Sequence, residues 1–343
     1  MISEGYDVVM VCADAVVLDD DPERLADFIR TVRRSDILFI DVHGDVSYFK
    51  HFRNLKDAVE RSGISTLLYG CEESVVLGYR DMFDGDDEDY GMLRLLETLG
   101  GDENHRSALL WCLRRYDGID TEIPAPVVPM AQGVYIPGRG AVPLSEGLKD
   151  VGSTGRPVIL VLFVSAFNTR GNTDAMDGLC RAVEARGGEP LAVFTRSYED
   201  PAIGAIGLGR LIDEHLLRDG RPIVDAVLNT MGFALTVLSQ PGCGEQVSAD
   251  NFLQRLGVPV IQAINLMGSM KRWKESPFGL TPSEIAYCVV SPEFDGQIDA
   301  TAYCGTEQME GGEFRQVPIE DRCDAGENLR LTWRYLDLRR PCM

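Results

Sequence analysis

Apolar residues recur along this chain in two rhythms, short near-continuous runs and runs spaced three and four apart, and the two alternate. The run within 6–13 predicts a buried strand. Asp21 followed by Pro22 then opens a helix, because a capping carboxylate precedes a residue whose fixed φ suits the first turn. Leu25, Phe28, Ile29 and Val32 fall on one face of that helix. Residues 37–42 predict a second strand, 48–61 a helix and 66–69 a third strand, with helices at 90–99 and 104–116 to follow. Strand and helix alternating at this spacing specify a parallel sheet with crossover helices. The acidic run 84–89 reads as a solvated loop.

The texture changes at 123–156, where Pro124, Pro126, Pro129, Pro137 and Pro143 are interleaved with glycines. Prolines at that density lack ladder donors and forbid long helices, so the stretch predicts an extended linker between a first domain, 1–122, and a second, 157–343. The second half resumes the alternation. A continuous apolar strand at 157–164 precedes a helix at 173–186, with Asp174 and Asp177 in its first turn, Met176, Leu179 and Val183 facing inward, and Gly187-Gly188 as its stop. Strands at 191–195, 226–229 and 258–264 alternate with helices at 208–217 and 248–256. Strands apolar throughout belong to a parallel sheet covered on both faces. The expected fold is α/β, two Rossmann-like or flavodoxin-like domains with mostly parallel sheets and flanking helices, joined by the Pro-rich linker. Ligands in such sheets sit over the carboxyl ends of the strands, which directs attention to the loops 165–172, 195–200, 230–244 and 265–280.

Composition narrows the function classes. The 343 residues carry 33 Lys plus Arg against 54 Asp plus Glu, a formal net charge of −21, with 45% hydrophobic and 25% charged residues. That balance suits a folded, water-soluble chain and opposes binding to nucleic-acid phosphates or anionic lipid. Nine cysteines are scattered with no Cys-x-x-Cys pair, as expected of reduced thiols in the cytoplasm. Residues 1–7 lack the basic and apolar blocks of a signal peptide, and the longest apolar run, 157–166, is about half what a membrane span needs.

No Gly-x-x-x-x-Gly-Lys-Ser/Thr loop occurs, so phosphate cradling of the P-loop kind is excluded, and Gly204, Gly207 and Gly209 stand in the wrong order for a dinucleotide fingerprint. His215 falls mid-helix among charges and reads as a surface residue. His43 directly follows a predicted strand and suits either a structural imidazole or a ligand or proton carrier. The densest constellation lies between Val258 and Thr301. Gln262 interrupts an apolar strand, Trp273 and Ser276 follow in a loop, and Thr281-Pro282-Ser283-Glu284 is a capping box. Ser291-Pro292-Glu293-Phe294-Asp295-Gly296 then sets two carboxylates two residues apart ahead of a glycine. This suits a tight turn with solvated acids, or a carboxylate held at a cleft as general base or cation ligand.

Taken together, Gly257-Val-Pro-Val-Ile-Gln262, Trp273-Lys-Glu-Ser276, Gly279-Leu-Thr-Pro-Ser-Glu284 and Val289-Val-Ser-Pro-Glu-Phe-Asp-Gly296 resemble the large subunit of cobaltochelatase, the CobN type. That family also includes the porphyrin-binding large subunit of magnesium chelatase. The resemblance runs in order through His43-Gly44, Tyr90, Gly100-Gly101, Asn104, Gly133-Val-Tyr-Ile-Pro137, Gly171-Asn172-Thr173 and Asp225-Ala-Val-Leu-Asn229. Family members are several times longer, and in them the sequence seen here at Leu338 to Pro341 leads into a further domain, so the chain resembles the N-terminal portion of a large subunit. It departs from the pattern after the 157–164 strand, where Val164, Ser165 and Phe167 replace an aromatic, an Arg and a His.

The resemblance implies ATP-dependent insertion of a divalent metal, cobalt ahead of magnesium, into a corrin or porphyrin precursor. It implies ATP bound by separate AAA+ ATPase subunits rather than by this chain, and remaining domains supplied either by a further chain or by the rest of a longer one from which this piece is cut. Alternatives are a tetrapyrrole-binding or carrier module inactive alone, and a metal-removing protein. Glu293 matches the family's catalytic glutamate, and Asp295 would support it or share the cation. His43, Asn172, Gln262 and Arg170 would contact the polar edge of the macrocycle, and Trp273 and Phe233 its flat face.

Overall fold

The computed structural model describes residues 5–70, 72–232, 234–235, 251–309, 314–319, 330–334 and 336. They form two compact units, Met1–Pro129 and Met130–Met343. No helix among the described residues is long and apolar enough to cross a membrane.

In the first unit, strands Ile37–Val42 (β1) and Ser65–Gly70 (β2) run parallel, Ile37 opposite Ser65. The helix Pro22–Val32 starts where Asp21 accepts the N–H groups of Glu23 and Arg24. Helices Phe52–Ser62, Asp87–Leu99 and Asp102–Tyr116 are the other long helices of the unit, and Leu67, Tyr90, Leu93, Leu96 and Trp111 share one core. The expected strand at 6–13 does not form. Val9 is 87% and Met10 70% exposed, and the stretch pairs with neither β1 nor β2. An apolar run becomes a strand only where a neighbour offers a row of partners, which its own residues do not encode.

The second unit is built on an eight-stranded sheet of order β14-β13-β12-β11-β5-β6-β3-β4. In chain order these are Gly133–Ile136 (β3), Gly140–Val142 (β4), Val158–Val164 (β5), Glu189–Thr195 (β6), Ala226–Asn229 (β11), Val260–Ser269 (β12), Ile298–Gln308 (β13) and Phe314–Pro318 (β14). Two-residue antiparallel pairs, Glu199–Asp200 (β7) with Ala205–Ile206 (β8) and Leu217–Arg218 (β9) with Arg221–Pro222 (β10), lie outside it. The five strands from β13 to β6 are parallel, and antiparallel strands close both sides. Side chains of β5 alternate between two cores, Leu160 and Leu162 in one, Ile159, Val161 and Phe163 in the other with Met176, Leu179 and Val183 of the helix Asp174–Ala185. The mixed α/β class is therefore present, with one large, mostly parallel sheet.

Two expectations need revision in this unit. Within the stretch 123–156, read as extended linker, β3 and β4 form a hairpin whose Val134 pairs with Val193 of β6. Pro137 and Pro143 follow the two strands rather than interrupt them, so their missing N–H groups take no ladder bond away. Gly133 lets the hairpin approach: a Cβ there would lie 2.7 Å from the carbonyl oxygen of Val142. The strands β13 and β14 lie where no strand was anticipated, because Asp299, Thr301, Thr306 and Glu307 dilute the apolar pattern.

Burial also sets thiol reactivity. It pushes the thiols of Cys112, Cys180 and Cys304 up to about 12 and that of Cys288 up to about 11, whereas Cys12 is exposed. A group whose pKa is raised in this way stays protonated throughout the range where alkylating reagents act. Iodoacetamide at pH 8, mapped by peptide mass, is therefore expected to modify Cys12 and to spare those four until denaturant is added. Labelling of any of the four at the rate of Cys12 would contradict the burial.

Candidate functional site

The chain enters the parallel core at β5, places β6 on one side, then turns to the other side for β11, β12 and β13. The strand order thus reverses between β5 and β11, and the crevice beyond their carboxyl ends is where ligands of such sheets sit. Two residues at the end of β11 and the facing residue of β12 are polar and buried: Asn229 (0% exposed), Thr230 and Gln262 (1%), with Asn229 in register with Gln262. Thr230 closes onto β5, its N–H and hydroxyl both donating to the carbonyl of Leu162. Asn229 donates to Gln262 at 2.9 Å and to Gln297 at 2.7 Å, and its own oxygen accepts the N–H of Met231.

The helical segment 282–293 carries the carboxylates. Thr281 caps it and Glu284 reaches back, forming a capping box with Pro282 at the first helical position. Glu284 is buried, and its carboxylate accepts four donors: Thr281 N–H (2.7 Å), Thr281 hydroxyl (2.8 Å), Met267 N–H (2.9 Å) and Gly268 N–H (3.4 Å). These bonds fasten the helix start to the curled end of β12. A π turn at Ala286–Val290 follows, a form that recurs at functional sites. The far end closes as a Schellman motif: Gln297 N–H donates to Pro292 O, Gly296 N–H to Glu293 O, and Gly296 sits at φ +73°.

Glu293 therefore stands in the last helical turn, exposed, and Val290 one turn before it and Phe294 directly after it are exposed too. Carbonyls at a helix C-terminus carry partial negative charge, which adds to the carboxylate in attracting a cation. Asp295, two residues on, is buried. It accepts the N–H of Leu235 and lies 3.5 Å from the Gln297 amide nitrogen, and Asn251 donates to its backbone carbonyl. Ser291 accepts the N–H of Ala234, so the carboxylate turn and the segment after β11 are tied at two points. Of the two acids in 291–296, one is therefore solvated and the other is held by a backbone N–H.

The other expected site residues are dispersed. Gln262, expected to reach a ligand edge, instead spends its amide inside the sheet, accepting from Asn229 and donating to the carbonyl of Met231. Asn172 accepts the N–H of Gln316 at 2.9 Å and so holds β14. Trp273 packs half-buried with Ile264, Leu266 and Met270, and Arg170 is exposed. His43 lies in the first unit just beyond β1, its side chain 83% exposed and Nδ1 3.9 Å from Asp41. Phe233 lies outside the described residues. Sequence reasoning gave no role to Asn229, Ser291 or Gln297; the available signal was an amide ending an otherwise apolar strand. Among the described residues no three His, Cys, Asp or Glu side chains converge as a metal site.

The comparisons agree on one family. Residues 96–341 match the family model described as CobN/Magnesium Chelatase. An uncharacterised protein of Methanocaldococcus jannaschii is 30% identical over 72% of this chain and 21% of its own length. The aerobic cobaltochelatase subunit CobN of a Sinorhizobium species is 28% identical over 91% of the chain and 24% of its own length. In structure, the catalytic subunit of cobaltochelatase from Mycobacterium tuberculosis shares the fold with a TM-score of 0.56 at 23% identity, over 93% of this chain and 25% of that one. The chain thus spans about a quarter of the length of these relatives. On the family model and the relatives alike, it belongs to the CobN/magnesium chelatase family.

Proposed function

We propose that the chain forms the part of a metal chelatase large subunit that meets the tetrapyrrole, and that Glu293 is its base. The observation carrying this reading is an exposed carboxylate on a helix end whose backbone a Schellman motif fixes, with exposed apolar side chains at Val290 and Phe294. A corrin or porphyrin precursor is flat and apolar across its face, and inserting a divalent metal at its centre releases two pyrrolic protons. Apolar side chains beside Glu293 suit the face, and a carboxylate among them can take a proton and offer oxygen to a cation losing its water. Cobalt or magnesium enters as substrate, and Asp295 supports the turn rather than ligating, since its carboxylate is buried against Leu235. ATP would be hydrolysed by AAA+ partner subunits, and a cytoplasmic location suits those partners. Arg170, Lys271 and Arg272 are the candidate counter-charges for ring carboxylates in a chain of net charge −21.

Tetrapyrrole titration tests the reading. Adding a corrin precursor or a porphyrin to micromolar protein is expected to quench Trp fluorescence saturably and to shift the ligand's absorption band. Phe294→Asp should weaken that binding roughly tenfold by placing a charge against the ring face. A ligand that neither quenches nor shifts with either class would remove the proposal.

A further inference from the structure

We infer that Asn229 is the positioning residue of the Glu293 turn, an inference that rests on the chelatase reading of Glu293 above. Among the described residues, the hydrogen bonds around Asn229 carry it. Asn229 Nδ2 lies within 3.0 Å of three acceptors: Gln297 Oε1 (2.7 Å), Gln262 Oε1 (2.9 Å) and Met231 O (3.0 Å). An amide nitrogen carries two hydrogens. Met231 O is already served by Gln262 Nε2 at 3.1 Å, so the two Asn229 hydrogens go to the two glutamine oxygens. Asn229 Oδ1 accepts Met231 N–H at 3.1 Å. Every polar atom of the Asn229 and Gln262 side chains is then used, in a place with no water-exposed surface.

From Asn229 the bonds lead on to the turn that bears Glu293. Gln297 is 3% exposed, and its side-chain oxygen is held by Asn229. Its backbone N–H is the long closing bond of the Schellman motif, to Pro292, and its Nε2 lies 3.5 Å from Asp295. Fixing the Gln297 side chain from the strand side therefore fixes the residue that closes the helix at Glu293. The fixed point is the end of β11, the strand beside which the sheet order reverses. Only a side chain with two donors and one acceptor at this reach completes the pattern. Aspartate is of the same shape and keeps the acceptor for Met231, but it leaves both glutamine oxygens without a donor.

Asn229→Asp and, should that variant fold poorly, Gln297→Leu test the inference, with the double variant closing the cycle. Metal insertion is assayed with the ATPase subunits and ATP, tetrapyrrole affinity by titration, and backbone amide exchange by NMR or mass spectrometry. Each single variant is expected to lower kcat about tenfold or more, because small misplacement of a reacting group is costly, with tetrapyrrole affinity little changed. The double variant should be no worse than the worse single by more than roughly twofold, because both break one link. Amides of Gly296 and Gln297 should exchange faster in both variants, and those of Leu160 to Phe163 should not. Multiplicative losses in the double variant, unchanged turn exchange, or unchanged kcat would each overturn the inference while leaving the chelatase reading standing. A wild-type chain that neither binds tetrapyrrole nor supports insertion overturns that reading and the catalytic content of this one together. Turn exchange would then still decide whether Asn229 anchors the helix end.

Discussion

Glu293→Gln is expected to lower metal insertion by about 10²–10⁴-fold, the range in which a positioned general base contributes. Glutamine keeps the length and the two-pronged shape of the side chain but can neither take a proton nor carry the negative charge that draws a cation. The backbone bonds closing the turn involve the Glu293 carbonyl, not its side chain, so the helix end should be unaltered. Binding of the macrocycle, proposed to draw on Val290 and Phe294, should change by less than about threefold, since an exposed carboxylate gives little net binding energy to an apolar face. The measurement is insertion rate and tetrapyrrole affinity on the same preparation. Full activity in the variant would sink the base assignment, and an equal loss of affinity and rate would make Glu293 a binding residue instead.

The largest stability effect is expected from Phe163→Ala. Phe163 is fully buried near the end of β5, in edge contact with Tyr135 (ring centroids 6.2 Å, 88° between planes) and tilted against Phe194 (5.9 Å, 53°). Removing the ring loses its transfer free energy and leaves a cavity that the sheet, paired on both sides of β5, cannot collapse, at a cost of about 3–5 kcal/mol. Urea denaturation followed by circular dichroism should show the midpoint fall at nearly constant slope. Phe278→Ala is the matched control: Phe278 is 89% exposed, and its removal should change stability by less than about 0.5 kcal/mol. Comparable losses from the two would mean that β5 is not the centre of a packed sheet.

What the sequence discloses here follows the range of the interactions involved. The helix Asp174–Ala185 and the capping box at Thr281 are legible because caps and one-face spacing act within a few residues. The strand Val158–Val164 is legible because burial on both faces leaves no polar position to confuse the pattern. By contrast, 6–13 has the composition of a strand without a partner, and Ile298–Gln308 has a partner without the composition. Pairing, not propensity, decides both. In the site, Glu293 and Asp295 look equivalent on paper, and only the fold separates them, one in solvent and the other against the Leu235 N–H. Asn229 and Gln262 are distant in sequence and meet because β11 and β12 are adjacent in register.

The order of strands in the large sheet also bears on how the molecule is made. The strand β5 is synthesised before both its parallel neighbours, so pairing can spread outward from it as the ribosome delivers β6, β11 and β12. The helix bearing Glu293 emerges between β12 and β13, and the residue that closes it, Gln297, directly precedes β13. A nascent chain halted before that point would expose the long flank of β12 and lack the anchored turn. Covering the parallel edge of β12 and closing the turn at Glu293 thus depend on one and the same stretch of chain, and a product arrested before it would keep an open, adhesive strand edge.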